Sequence, residues 1–253
     1  MRGSNPALNS KIFTGLISEA DARMTVQGTI NRTGVLVLLT MASATWTWSL
    51  AAQESPAVLP LMFLGLVGGL ACALATLFVK RWAPVTAPAY ALAEGLILGG
   101  ISAAYGMAKA GSAAHVQAGP NIAVQAVGLT MATLAVMLVA YSTGVIKVTD
   151  RFRTVVIAAT GAIAVFYLVA MVVGLFGVRV PLLHDNGPLG ILFSLAVVVI
   201  AALNLAIDFS FIQAGAAAGA PRYMEWYGAF GVMVTLIWLY LEILRLLSKL
   251  RSR

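Results

Sequence analysis

Seven apolar stretches, each long enough to cross a lipid bilayer, constrain this chain more than any other feature of its sequence. A helix needs about 20 residues to cross the hydrocarbon core of a membrane. Windows of about that length cover residues 34–51, 57–79, 87–107, 122–144, 154–177, 189–212 and 230–247. Short connections separate them, and several of these connections carry proline or glycine, which end helices. The pattern predicts an all-α integral membrane protein with seven transmembrane helices.

The composition excludes the main classes of soluble protein. Of the 253 residues, 60% are hydrophobic and only 10% are charged, whereas a soluble domain carries roughly 25% charged residues. The net charge of +7 comes from basic residues scattered between the apolar runs, so we expect the lipid bilayer and no nucleic acid as partner. No nucleophile–base pair, phosphate loop or metal-ligand spacing is recognisable. We therefore predict neither an enzyme nor a bound cofactor.

Lysine and arginine are unevenly distributed along the chain. Residues 1–33 form a predicted polar tail ahead of a transmembrane domain over 34–253. The tail and the second, fourth and sixth loops hold ten basic residues, and the other three loops hold two. Because basic residues collect on the cytoplasmic side, the count predicts a cytoplasmic N-terminus. With seven spans the C-terminus would then lie outside, yet the basic residues from Arg245 onward favour the cytoplasmic side. Either the earlier basic residues determine the orientation, or the seventh span is re-entrant.

Three acidic residues lie inside apolar stretches, where a charge costs roughly 2.5–3.5 kcal/mol on insertion scales. They are Glu94, Asp208 and Glu242. If Asp208 and Glu242 face each other inside the bundle, they share a proton and titrate as a unit. Carboxylates also bind hard cations such as calcium, but two of them provide too few ligands for a tight site. The pair therefore favours an ion pathway or a gate over a storage site.

Simpler explanations compete with that interpretation. Glu242 can pair with Arg245 on the same helix, Asp208 can reach the interface from a helix end, and Glu94 can bond a neighbouring helix. Glu225, among aromatic residues, is expected at the membrane interface. Asp208 and Glu242 lie at one depth only if residues 213–229 run along the membrane surface. Otherwise the helical rise separates them by on the order of 15 Å.

Several segments resemble a bacterial branch of the Bax inhibitor (TMBIM) family. They are MTVQGTINRTG, APVTAPAYALAEGLILGGIS, TGVIKVTDRFR, AALNLAIDFSFI and, most recognisably, LYLEILRLL. The resemblance implies a seven-helix bundle with the last helix central, in the bacterial inner membrane, acting as a pH-sensitive leak with calcium as permeant ion. The resemblance implies that Asp208 and Glu242 correspond to the family's paired aspartates in the last two spans, so a glutamate replaces the second aspartate here. The family also has a basic residue at the inner end of the second span that acts as a latch, and Lys80 or Arg81 corresponds to it.

Three functions remain open. The first is a pH-gated calcium leak channel whose gate is the Asp208–Glu242 pair. The second is a non-conducting regulator that binds another membrane protein, such as a membrane protease, through the tail of residues 1–33. The third is a proton-coupled transporter of a small solute, which Glu94 would serve as an additional buried acid.

Overall fold

The computed structural model describes residues 23–110, 122–177 and 187–251, and these form seven long helices. In chain order the helices are α1 Val26–Ala52, α2 Val58–Phe78, α3 Ala83–Ala110, α4 Ile122–Ser142, α5 Asp150–Leu175, α6 Pro188–Ala217 and α7 Met224–Arg251. A short 3-10 turn, Lys80–Trp82, joins α2 to α3. All seven helices are long and apolar enough to span a bilayer, which confirms the predicted fold class.

The first helix begins earlier than its apolar window. Thr25 caps α1, and its side chain accepts a hydrogen bond from the backbone N–H of Gly28. Residues 26–33 are therefore helical, and the predicted boundary at residue 33 falls inside α1. The window missed these two turns because hydropathy detects runs of apolar residues and not helix formation, and this stretch includes Gln27, Asn31 and Arg32. Residues 1–22 of the predicted tail lie outside the described residues.

A tight turn joins α6 to α7. Gly219 has a φ of 66°, the left-handed conformation that commonly ends a helix at glycine. The N–H groups of Gly219 and Ala220 donate to the carbonyls of Ala216 and Gly215, at 3.1 and 3.0 Å, which is a Schellman-type ending. Residues 213–229 thus belong to two helices and their turn, and they form no surface-running segment. Helix α7 is unbroken over 28 residues and is long and apolar enough to span a bilayer.

The last helix lies at the centre of the bundle. In its most apolar 18-residue window 61% of the residues are buried, against 11% in α2 and in α5. Helix α7 packs against α1, α3, α4 and α6, and Leu239 and Leu244 on it are fully enclosed. This confirms the central last helix that the family resemblance implied.

Two glycines of α3 allow it to pack directly on α1. Gly95 faces the carbonyl of Thr40, and Gly99 faces the carbonyl of Ala44. The hydroxyl of Thr40 also donates to the carbonyl of Ala91, at 3.0 Å. Small residues four apart let two membrane helices approach closely, and here a methyl group at residue 99 would meet backbone atoms.

We expect Gly99→Ala to destabilise the bundle by about 1–3 kcal/mol, the usual cost of overpacking. Gly161→Ala is the matched control, because nothing lies within 4 Å of a methyl group at that position of α5. It should leave stability unchanged or raise it slightly, since alanine favours helix over glycine. Thermal unfolding of both variants in one detergent measures the difference. Equal midpoints would contradict the proposed close packing.

Candidate functional site

A cavity of about 610 Å³ lies between α2, α3, α6 and α7, and two carboxylates line it. Glu94 comes from the middle of α3 and Asp208 from the second half of α6. The rest of its wall is mainly apolar and aromatic, and includes Leu66, Leu70, Tyr90, Tyr227, Phe230 and Val234. The cavity thus brings together two of the three acids that the sequence places at membrane depth.

One of the two cavity carboxylates receives a hydrogen bond from a hydroxyl group. Thr235 of α7 donates to Oδ2 of Asp208 at 2.6 Å, while Tyr90, which lies one turn before Glu94 on α3, lines the cavity beside it. The ring of Tyr90 is held edge-on against Phe230, with 4.9 Å between the ring centroids. The bond from Thr235 holds Asp208 in position, and it satisfies only part of the hydrogen-bonding capacity of that carboxylate.

Neither cavity carboxylate has a basic partner among the described residues. In that part of the chain the ion pairs join Arg32 to Glu225 and Arg245 to Glu242. An ionised carboxylate in apolar surroundings is costly unless an opposite charge or a proton neutralises it. The arrangement of Glu94 and Asp208 is therefore suited to holding a proton or a cation.

Lys80 stands beside the cavity, at the turn between α2 and α3. Its Nζ lies 5.7 Å from the ring centroid of Tyr227, which is within cation–π range, and Tyr227 lines the cavity. Arg81 is the next residue of the same 3-10 turn, and its side chain is exposed. Of the two predicted latch residues, the structure therefore brings Lys80 to the cavity wall.

Glu242 belongs to a different cluster, on the inner face of α7, with 1% of the residue exposed. Nη1 of Arg245 lies 2.9 Å from both carboxylate oxygens, and the hydroxyl of Tyr167 donates to Oε1 at 2.8 Å. Nη1 of Arg245 also donates to the Tyr167 hydroxyl at 2.7 Å. This triad anchors α5 to the central helix, in agreement with the simpler explanation for Glu242.

The structure does not bring Asp208 and Glu242 together. Asp208 is level with Thr235, and Glu242 follows Thr235 by two helical turns, about 10 Å along the helix axis. The tight α6–α7 turn fixes this offset. Glu94, not Glu242, shares the cavity with Asp208.

Glu225 forms a third cluster, which the sequence did not predict. It is 2% exposed and accepts hydrogen bonds from the backbone N–H and the hydroxyl of Thr25, at 2.8 and 2.9 Å. Arg32 forms an ion pair with it, and a side chain at residue 28 would overlap the carboxylate. Glu225 thus fastens the start of α1 to the start of α7. The only sequence signal was one arginine close to the first span.

The basic residues at the end of α7 contact other helices. Lys249 is 4% exposed and donates to the carbonyl of Gly190 at 2.9 Å, while Arg251 donates to the side chain of Gln125 at 2.8 Å. These bonds hold the end of α7 against the starts of α6 and α4. The basic residues at this end of α7 therefore have a structural role in the bundle.

Comparison with known proteins identifies a family. A family model described as Bax inhibitor 1 like matches residues 5–252, a range that includes all seven helices and all three clusters. No curated protein matches, and no solved structure matches.

Proposed function

Because this chain belongs to the Bax inhibitor 1-like family, we propose that it is a pH-sensitive leak channel that conducts calcium. The observation that carries the proposal is the cavity in which Glu94 and Asp208 lie without a basic partner in the described part of the chain. Acidic side chains at membrane depth commonly mark ion pathways. The proposal replaces the Asp208–Glu242 pair by Asp208 with Glu94, since Arg245 already neutralises Glu242.

The cavity offers calcium a weak and incomplete site. Calcium takes six to eight oxygen ligands, and the cavity provides two carboxylates together with the hydroxyls of Tyr90 and Thr235. Water has to supply the remaining ligands. An ion that enters such a site also leaves it readily, which conduction requires.

Protons compete with calcium for the same two carboxylates. Protonation of either acid removes the negative charge that attracts the ion, so we expect the leak to increase from pH 6 to pH 8. The other polar groups beside the acids are the hydroxyls of Tyr90 and Thr235 and, at the cavity wall, Lys80 on the ring of Tyr227.

Calcium flux into proteoliposomes across pH 6 to 8 tests the proposal. We expect Asp208→Asn and Glu94→Gln each to reduce the flux by about tenfold or more, which corresponds to a barrier higher by about 1.4 kcal/mol, and to flatten its pH dependence. Glu54→Gln is the control, because Glu54 is an exposed acid outside the cavity. Flux from both cavity variants equal to that of the wild type would refute this pathway.

Absence of flux above empty liposomes, with folded protein, would favour the non-conducting regulator. In that case deletion of residues 1–22 should abolish binding to the partner membrane protein, and the cavity acids should be irrelevant. We also propose a bacterial inner membrane location with a cytoplasmic N-terminus, which the loop count of lysine and arginine supports. Reporter fusions at each terminus test that orientation.

A further inference from the structure

We infer that the Glu94–Asp208 cavity binds an organic cation with apolar substituents, of the quaternary ammonium type, in addition to metal ions and protons. The inference uses the same cavity as the proposed function and deepens it by naming a second class of ligand. Binding of such a ligand does not require that the cavity conduct calcium, so the two claims fail separately.

The size and the walls of the cavity favour an organic ligand. Its volume of about 610 Å³ falls within the roughly 300–1,000 Å³ of small-molecule sites. Leu66 and Leu70 of α2 and Val234 of α7 form much of the wall. These three side chains are 58%, 60% and 42% exposed, so the cavity is open on this side, and a ligand with apolar substituents can enter there and cover them.

The charges and the aromatic rings select a cation. Two carboxylates face the cavity without a basic partner in the described ranges, so a neutral ligand leaves them uncompensated and an anion is repelled. The rings of Tyr90, Tyr227 and Phe230 line the same space. Aromatic rings and carboxylates together are the usual surroundings of a bound quaternary ammonium group.

Lys80 bears on cation binding in two opposite ways. Its ammonium group already lies 5.7 Å from the centroid of the Tyr227 ring, so this ring accepts a positive charge on one face. The same ammonium repels a second cation that approaches the cavity. Lys80 should therefore weaken the binding of an organic cation, while Asp208 and Glu94 strengthen it.

Equilibrium binding of radiolabelled tetraphenylphosphonium to the full-length protein in a non-ionic detergent tests the inference. We expect saturable binding that Asp208→Asn and Glu94→Gln each weaken by about tenfold or more, as for a lost charge contact of about 1.4 kcal/mol. Glu54→Gln should bind like the wild type. Lys80→Met should bind several times more tightly, a gain that misfolding cannot produce.

Two results would overturn the inference. One is binding of the probe to both cavity variants with wild-type affinity, and the other is displacement of the probe by neutral triphenylphosphine oxide as effectively as by unlabelled probe. Calcium flux without probe binding would contradict the binding of an organic cation and would still support the calcium leak. Probe binding without calcium flux would contradict the calcium leak and support the binding of an organic cation.

Discussion

Glu225→Ala should lower the stability of the folded chain by about 3–5 kcal/mol, the usual cost of removing one member of a buried ion pair. Glu225 is 2% exposed, and its carboxylate neutralises Arg32 while accepting two hydrogen bonds from Thr25. The substitution leaves the guanidinium of Arg32 without its counter-ion, and it leaves the N–H and the hydroxyl of Thr25 without their acceptor. Thermal unfolding in detergent should show a midpoint lower by about 10 °C.

Three further variants separate charge from hydrogen bonding. Glu225→Gln keeps an oxygen that can accept from Thr25 but loses the ion pair, so its stability should lie between those of the wild type and Glu225→Ala. Arg32→Met combined with Glu225→Gln should cost less than the sum of the single changes, because the partners depend on each other. Glu54→Gln, at an exposed acid, should have no effect. A wild-type midpoint for Glu225→Ala would disprove the anchoring role.

The contact between Glu225 and Thr25 also shows why the ends of the helices were harder to predict than their middles. Apolar windows located all seven helices, because each span has to be apolar over about 20 residues, whether it faces lipid or, like α7, mainly other helices. The two residues are 200 positions apart in the chain, and no local pattern reports a contact of that kind. The first two turns of α1 are polar on both faces, since Arg32 pairs with Glu225 of α7 while Gln27 and Asn31 are exposed, so the hydropathy window assigned them to a tail.

The sequence predicted which acidic residues lie inside the spans, but it did not predict which of them lie close together. Depth along a helix can be read from the sequence, and it identified Glu94, Asp208 and Glu242 as acids inside apolar spans. The neighbours of a side chain depend on the packing of the bundle and on the register between helices. The tight turn at Gly219 sets that register for α6 and α7. As a result Asp208 lies level with Thr235 and not with Glu242. The family resemblance favoured the other pairing.

The Glu242–Arg245–Tyr167 triad provides the second large expected effect. Arg245→Ala leaves a carboxylate that is 1% exposed with Tyr167 as its remaining hydrogen-bond donor among the described contacts. We expect a loss of about 3 kcal/mol, at the low end for a buried pair, because the Arg245 side chain is 29% exposed. Tyr167→Phe removes one hydroxyl and should cost about 1–2 kcal/mol.

A double-mutant cycle tests whether these residues act as a unit. Glu242→Ala and Arg245→Ala should each destabilise the protein, and the double variant should be more stable than additivity predicts, by about 1–3 kcal/mol. The double variant no longer buries an unpaired charge, which is the main cost of each single change. Thermal midpoints of the four proteins in one detergent give the coupling, and additive losses would contradict it.

The same residues distinguish an anchor from an ion pathway. If Glu242 only holds α5 to α7, folded Glu242→Gln should lower the thermal midpoint and still conduct calcium with the pH dependence of the wild type. Asp208→Asn should leave the thermal midpoint unchanged and reduce the calcium flux, because Asp208 has no basic partner in the described structure and borders the cavity. An unchanged midpoint with lost flux in Glu242→Gln would place Glu242 in the pathway. The conducting bundle would then have to bring α6 and α7 into a register two turns away from the one described.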